Sequence, residues 1–216
     1  MLKVDFHTHS TASYDGGIKP EQYRQLLEKE VLHCVAITDH NRIDLALQLH
    51  AEFPEKIIVG EEVMTTSGEL IGLFLTQPIP AGLPALEAAK LIRLQGGLVY
   101  VPHPFETTRH GLTKETLEEI QGMVDVVEVH NGRALLQNRG PQAATWVRLN
   151  HMLGAVGSDA HGLKGVGTTY TILKELPTAK NLMEQLPHAR LVAGRPPLKT
   201  LLYPKAHRLK KKLAHS

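Results

Sequence analysis

Short apolar segments rich in β-branched residues recur along the chain, and segments with helical spacing separate them. The apolar segments predict strands at 2–4, 35–37, 57–59, 70–75, 98–101, 124–129, 153–156 and 191–193. Helices are predicted at 20–27, 43–51, 84–95, 114–121, 141–151 and 179–186. Because most of the strands are continuously apolar, they are expected to be buried on both faces. This alternation predicts an α/β fold whose parallel sheet is covered by helices.

One connection between strands is too short for a parallel crossover. The apolar segment 57–63 is followed by the turn residues 65–68 and then directly by the strand 70–75. A turn of this length predicts an antiparallel hairpin. The sequence shows no internal repeat or linker before residue 205, so we expect one barrel domain at 1–204 and a basic C-terminal tail at 205–216.

Histidines and carboxylates follow almost every predicted strand. In a parallel α/β barrel the carboxyl ends of all strands open on one face, where active sites lie. Segments that are far apart in sequence are therefore expected to bring these side chains together. The residues concerned are His7, His9, Asp15, Asp39, His40, Glu61, Glu62, His103, His130, Asp159 and His161.

The donor types indicate divalent metal ions. Imidazole and carboxylate suit Zn²⁺, Mn²⁺ or Fe²⁺, and Cys34, the one cysteine, lies in an apolar segment that is typical of core. The donors are too many for one four-coordinate ion, which predicts two or three ions that share a bridging carboxylate. Paired ions clamp the oxygens of a displacement at phosphorus and lower the pKa of a bound water. The hypothesis is a metal-dependent phosphoesterase that hydrolyses phosphate esters of a small molecule or nucleotide.

The spacing of these motifs resembles that of the PHP (polymerase and histidinol phosphatase) superfamily. The matching motifs are HTHSTASYDGG at 7–17, TDHN at 38–41, GEE at 60–62, HP at 103–104 and SDAH at 158–161. The resemblance extends from about residue 4 to 167. It implies a distorted (β/α)7 barrel with mostly parallel strands and one antiparallel hairpin, a trinuclear metal centre and phosphoester hydrolysis.

The resemblance also implies a set of metal ligands, with Glu62 as the bridging carboxylate. These ligands are His7, His9, Asp15, His40, Glu62, His103, Asp159 and His161. Neighbouring residues of a strand point to opposite faces, so only one of Glu61 and Glu62 reaches the metals. We therefore expect Glu61 to be solvated or in a salt bridge.

Two positions depart from the family pattern. Glu69 stands where many members have histidine, and it is either an oxygen ligand or a solvated turn residue. His130 stands where similar proteins often carry an aromatic residue. Because Glu128 lies on the same face of that strand, both are predicted to point to the barrel mouth. His130 is expected to contact the substrate or a metal ligand and to take part in catalysis, with direct metal ligation as the less favoured alternative. Asp159 and His161 are predicted to transfer protons while they ligate metal.

Phosphate binding calls for cations in addition to the metals. Arg133 follows a strand end and is the first candidate, with Lys164 and Arg42 as further candidates for substrate binding. Arg42, Arg109, His110 and Lys164 all lie on predicted mouth loops, and each of them taken alone is better explained as an ordinary solvated charge.

The overall charge gives little indication of a nucleic-acid or membrane partner. Net charge is +2, although six of the eight residues in 205–212 are basic. That segment is predicted to be a solvated helix face or a frayed tail. We expect a small phosphorylated substrate, and a nuclease or a non-catalytic metal-stabilised module is a less favoured alternative. Without a long apolar segment, a cytoplasmic location is expected.

Overall fold

The computed structural model of the protein describes residues 1–135 and 137–214. Their strands are β1 Leu2–Asp5, β2 Cys34–Ile37, β3 Ile57–Thr65, β4 Gly68–Leu73, β5 Leu98–Val101, β6 Val126–Asn131, β7 Leu153–Gly157, β8 Thr169–Leu173 and β9 Arg190–Ala193. They form one mixed sheet in the order β7-β6-β5-β4-β3-β2-β1-β8-β9. The sheet curves into a nearly closed barrel, and the fold is α/β as predicted.

Helices cover the outside of the barrel. They are α1 Pro20–Glu28, α2 Asp44–Glu52, α3 Ala85–Leu94, α4 Lys114–Glu119, α5 Gly140–Leu149, α6 Leu182–Gln185 and α7 Tyr203–Ala214. α1 illustrates why they form: Pro20 has no N–H to leave unpaired in the first turn. The Gln22 side chain then accepts from the Lys19 N–H at 2.9 Å, and Tyr23, Leu26 and Leu27 are buried.

The sheet differs from the prediction in strand number and direction. It has nine strands in the described residues rather than seven, and four of its eight pairings are antiparallel, so it is not mostly parallel. The predicted hairpin is confirmed in β3 and β4, where Met64 pairs with Glu69 and Glu62 with Ile71. β8 was missed because its sequence alternates polar and apolar residues instead of forming a continuous apolar run.

Backbone hydrogen bonds join the chain after β1 to the chain after β7. The Asp159 N–H donates to the His7 carbonyl at 2.8 Å, and the His9 N–H donates to the Ala160 carbonyl at 2.9 Å. These bonds bring two widely separated motifs to one end of the barrel.

The basic C-terminal segment is helical as far as Ala214, and residues 215–216 of the predicted tail lie outside the described residues. The Lys211 ammonium donates to the carbonyls of Thr11, Ser13 and Gly16, which holds α7 against the loop after β1. No helix in the described part of the chain is long and apolar enough to cross a membrane.

Candidate metal centre

Nine histidine and carboxylate side chains meet at one end of the barrel, and they are all nine of the predicted ligands. They form four overlapping groups, and within each group the donor atoms lie within 4.8 Å of one another. The groups are His9, Asp15, His40 and His161; His7, Glu62 and His103; His7, His9 and Asp159; and His40, Glu62 and Glu69. Each group has a size and composition that suit a divalent ion.

Glu62 lies at the centre of the cluster. Its Oε2 atom lies 3.2 Å from His9 Nε2, 3.3 Å from His40 Nδ1 and 3.4 Å from His7 Nε2. Its Oε1 atom lies 3.0 Å from His103 Nε2. One buried carboxylate thus contacts imidazoles from four separate positions in the chain, which suits a carboxylate shared between ions.

Glu69 is part of the cluster and is not a solvated turn residue. It is only 4% exposed, and its Oε1 atom lies 3.4 Å from His40 Nδ1 while its Oε2 atom lies 3.7 Å from His103 Nε2. Burial and the charges of Glu62 and Asp159 raise the pKa of Glu69 to about 10. Glu69 therefore holds its proton more tightly than an exposed glutamate does.

Two of the histidines are held neutral by the surrounding protein. Burial lowers the pKa of His40 to about 4 and that of His161 to about 3. For His9, burial also opposes the charge, but hydrogen bonds to Asp159 and Glu62 outweigh it and raise the pKa to about 9. Neutral imidazole is the form that ligates a metal, so His40 and His161 need no deprotonation before binding.

The arrangement of donors fits metal ions. The Nε2 atoms of His7 and His9 lie 3.1 Å apart, and both also face Glu62 Oε2. Among the described residues the buried His9 Nδ1 and His103 Nδ1 atoms have no hydrogen-bond partner. A cation between the Nε2 atoms of His7 and His9 and the Glu62 Oε2 atom would bind three donor atoms that otherwise face one another.

Glu128 supports the cluster from inside the barrel. Its carboxylate lies 3.1 Å from His7 Nδ1 and accepts from Tyr100 Oη at 3.1 Å, the His103 N–H at 2.8 Å and Asn131 Nδ2 at 2.8 Å. Carboxylates in this position orient a ligating histidine through its second nitrogen. Sequence reasoning placed Glu128 at the barrel mouth but did not assign it this role.

Two arginines contact Asp159 beside the cluster. Arg109 Nη1 donates to Asp159 Oδ2 and to Asn131 Oδ1, both at 2.6 Å, and the rest of its guanidinium binds Glu106. Arg133 Nη1 lies 3.3 Å from both Asp159 oxygens. Burial opposes ionisation of Asp159, yet Arg133 and His7 hold its pKa well below the usual range. Arg133 was the first substrate-binding candidate from the sequence, whereas Arg109 was a mouth-loop residue for which an ordinary solvated charge was the favoured interpretation.

His130 does not join the other predicted residues. A bulge in β6 pairs Glu128 with Ala155 and His130 with Val156, so the regular alternation of side chains is broken between them. Glu128 and Asn131 consequently bind each other at the cluster. His130 does not line the cavity of the cluster, and its Nε2 atom is buried without a hydrogen-bond partner in the described structure.

Three other polar residues lie away from the cluster. Lys164 is exposed and lines no part of its cavity. Arg42 is also exposed, and its guanidinium forms two hydrogen bonds to Asp44. The expectation for Glu61 was wrong: it is buried rather than solvated, and its Oε2 atom accepts from the Ile79 N–H at 2.7 Å. The chain that follows β4 covers this face of β3 and excludes water from Glu61.

The cluster opens into a small cavity of about 150 Å³. Cluster residues form its floor, and Arg109, Arg133, Tyr14, Pro204 and Arg208 also line it. The last two belong to α7. The C-terminal helix therefore forms part of the wall of the site.

The PHP-associated family model matches residues 139–191. An uncharacterised protein of Methanocaldococcus jannaschii, MJ0417, is 40% identical over 179 residues, which are 78% of this chain and 69% of the relative. The motifs, their placement and these similarities agree. The chain belongs to the PHP superfamily.

Two solved structures share the fold at low sequence identity. One is a two-domain protein of Bacteroides vulgatus that contains a predicted PHP-like metal-dependent phosphoesterase. It is 18% identical to this chain with a TM-score of 0.67, and the match covers 96% of this chain and 69% of that protein. A lesion-specific endonuclease of Pyrococcus furiosus is 16% identical with a TM-score of 0.62, covering 88% of this chain and 57% of its own. At these identities the likeness concerns the fold alone.

Proposed function

We propose that this protein is a metal-dependent hydrolase of phosphate esters. The observation that carries the proposal is the position of Glu62 among four imidazoles, with three further carboxylates around them. The nine donors in four overlapping groups would hold two or three divalent ions. A mixture of nitrogen and oxygen donors suits Zn²⁺, Mn²⁺ or Fe²⁺.

Residues beside the cluster supply the functions that phosphate chemistry needs. Bound ions would polarise a phosphoryl oxygen and lower the pKa of a water. The guanidinium groups of Arg109 and Arg133 line the cavity and can exchange part of their contact with Asp159 for phosphate oxygens. Both are thus substrate-binding candidates, and Arg109 replaces Lys164 in that role.

Proton transfer is assigned to Asp159 and His161. Arg133 keeps Asp159 ionised, so its carboxylate can accept a hydrogen bond from the attacking water and orient that water for proton transfer. His161 is neutral, and its Nδ1 atom lies 3.3 Å from Asp159 Oδ1, so the two side chains are in contact. His130 is left out of the mechanism because it does not line the cavity.

The cavity limits what can reach the cluster. A volume of about 150 Å³ is well below the 300–1,000 Å³ of typical sites that enclose a whole ligand. The cavity therefore receives a phosphate group, while the remainder of the substrate lies outside it. A site that bound metal only for stability would have no need of two arginines in the lining of its cavity.

The first prediction tests metal dependence. Treatment with a chelator should abolish phosphate release from an aryl phosphate, and Mn²⁺ or Zn²⁺ should restore it. Asp159→Ala should lose at least one bound ion per chain and lower kcat/KM by about a hundred-fold or more, because the ligand and the arginine contacts are lost together. Metal content and phosphate release are the measurements.

The matched control is Glu55→Ala, which removes an exposed carboxylate outside the cluster. It should leave metal content and rate unchanged. Full activity in metal-free protein, or full metal content in Asp159→Ala, would contradict the proposal.

A further inference from the structure

The outer side of α7 carries an exposed apolar stripe. Leu202, Ala206, Leu209 and Leu213 follow one another at the alternating intervals of four and three residues that place side chains on one face of a helix. Leu202, the last residue before α7, is 65% exposed, and Leu209 and Leu213 are 60% and 70% exposed. We call these four residues the α7 stripe. No other described segment of the chain covers it.

Contacts with the barrel fix the direction in which the stripe points. Pro204 is buried, the His207 ring packs against Gly17 where a side chain would not fit, and the Lys211 ammonium donates to backbone carbonyls of the loop after β1. Pro204, His207 and Lys211 recur at intervals of three and four residues and so form the inner side of α7. The α7 stripe lies on the opposite side and faces the solvent.

Lysines flank the α7 stripe on both sides. At 3.6 residues per turn, Lys205 lies about 70° around the helix from the centre of the stripe in one direction, and Lys210 lies about 70° from it in the other. Both lysines are exposed. No aspartate or glutamate follows Glu184 in the sequence, so α7 carries no negative side chain. The outer side of α7 is therefore apolar along its centre and positive along both edges.

A surface that is complementary to this side of α7 must be both apolar and anionic. A helix with leucines on one face and lysines beside them lies in the plane of a membrane interface, where the leucines enter the acyl boundary and the lysines meet anionic headgroups. α7 has 12 residues and is about 18 Å long. This length is too short to cross a hydrocarbon core of about 30 Å but is sufficient to lie on its surface.

A second copy of the chain is less complementary to the α7 stripe. A helix face of about 18 by 10 Å is on the order of 200 Å², well below the roughly 800 Å² per partner of a stable interface. Two such faces in contact would also bring the flanking lysines of one copy close to those of the other, which is unfavourable. Charge and area therefore both favour an anionic lipid surface over self-association.

We propose that the α7 stripe binds the surface of an anionic lipid membrane. Its leucines enter the interface, while Lys205 and Lys210 meet the headgroups. This differs from the expectation that segment 205–212 is a solvated face without a membrane partner. Because α7 also forms part of the wall of the metal site, the bound protein holds the mouth of that cavity at the membrane surface. The proposal concerns binding alone and does not rest on the proposed function.

The experiment measures binding of the full chain to vesicles, without turnover. Large unilamellar vesicles of phosphatidylcholine, alone or with about one quarter phosphatidylserine, are mixed with the protein and separated by flotation at several salt concentrations. Each lysine near an anionic surface strengthens binding about five-fold, so the anionic vesicles should bind at least about ten-fold more tightly than phosphatidylcholine. Salt should weaken this preference, because it screens exposed charges.

Substitutions of the leucines test the apolar contact. Leu209→Gln should weaken binding to anionic vesicles about ten-fold, and Leu209→Gln combined with Leu213→Gln about a hundred-fold, because glutamine retains the helix and removes apolar area. Leu94→Gln is the matched control, since Leu94 is 83% exposed on α3, and it should bind as wild type does. Circular dichroism should show the same helix content in all of these variants.

Substitutions of the lysines test the charge. Lys205→Glu combined with Lys210→Glu should abolish the preference for anionic vesicles, because both edges of the stripe then become negative. Lys90→Glu, a charge reversal at an exposed position of α3, should retain the preference.

Three results would each overturn the proposal. The first is a protein that floats with neither kind of vesicle. The second is a double leucine variant that binds anionic vesicles as well as Leu94→Gln does. The third is a wild-type dimer in sedimentation without lipid that the double leucine variant converts to a monomer, because the stripe would then join two copies of the chain. Flotation is independent of metal-dependent phosphate release, so this proposal and the proposed function fail separately.

Discussion

Lys211 connects the C-terminal helix to a predicted metal ligand. Its ammonium donates to the carbonyls of Thr11, Ser13 and Gly16, in the loop that carries Asp15. A hydrogen bond from a charged donor is worth about 1.5–3 kcal/mol, and partial exposure reduces this to about 1 kcal/mol each. The three bonds together contribute about 3 kcal/mol. Lys211→Met should therefore release the loop, since methionine fills the space without donating.

The effect should appear in metal binding. A free energy of about 3 kcal/mol corresponds to a factor of about 150 in the equilibrium constant for docking of the loop, and about 1 kcal/mol corresponds to a factor of about five. We expect one ion, that of the group containing Asp15, to bind between about five-fold and 150-fold more weakly, with the other ions unchanged. Isothermal titration of chelator-stripped protein with Mn²⁺ measures this.

Lys210→Met is the matched control, because Lys210 is the exposed neighbour on the same helix. The two variants should be equally folded by circular dichroism. Equal Mn²⁺ affinities and stoichiometries for them would refute the reasoning.

Two further predictions concern buried carboxylates. Glu69→Ala should lower the occupancy of one ion more than that of the others, and Glu69→His should shift the metal preference toward Zn²⁺. Metal analysis of the purified proteins measures both effects. Equal occupancies in Glu69→Ala and wild type would contradict a ligand role for Glu69. Burial raises the pKa of Glu61 from 4.5 to about 7 in the folded protein. As the pH rises from 4.5 to 7, the unfolded chain releases this proton while the folded protein retains it. The free energy of unfolding therefore falls by up to about 3 kcal/mol over this range. Wild type should therefore lose stability relative to Glu61→Gln between pH 4.5 and 8 in urea unfolding, and parallel pH profiles would contradict this.

The hairpin and the cluster could be predicted because local pattern decides both. A turn of four residues after Val63 leaves no room for a crossover, so β4 must return antiparallel. That return carries Glu69 back to the cluster, diagonal to Glu62. Most other residues of the cluster follow strand ends, and the carboxyl ends of parallel barrel strands share one face. Residue type and position after the strands predicted that a cluster forms, whereas its individual members followed from the resemblance to the PHP superfamily.

Side-chain direction within a strand was harder to predict. Glu61 lies on the opposite face from Glu62 as expected, but that face is covered by the chain at Ile79, a contact between distant segments. The bulge in β6 directs Asn131 to the cluster in the place predicted for His130. A bulge leaves no reliable signature in a single sequence, and one extra residue reverses the face of every residue after it.

The cations were the least predictable part of the site, because an arginine in a loop has the same sequence character whether it is solvated or buried. Arg109 is mostly buried only because Glu106, Asn131 and Asp159 converge on it from three segments. Arg208 borders the cavity because α7 lies against the loop after β1, where Lys211, one turn further along the helix, donates to backbone carbonyls. The tail's net charge is therefore a weak indicator of function by itself. Its position beside the cluster, set by a lysine that binds backbone carbonyls, is what makes the charge relevant to a phosphate substrate.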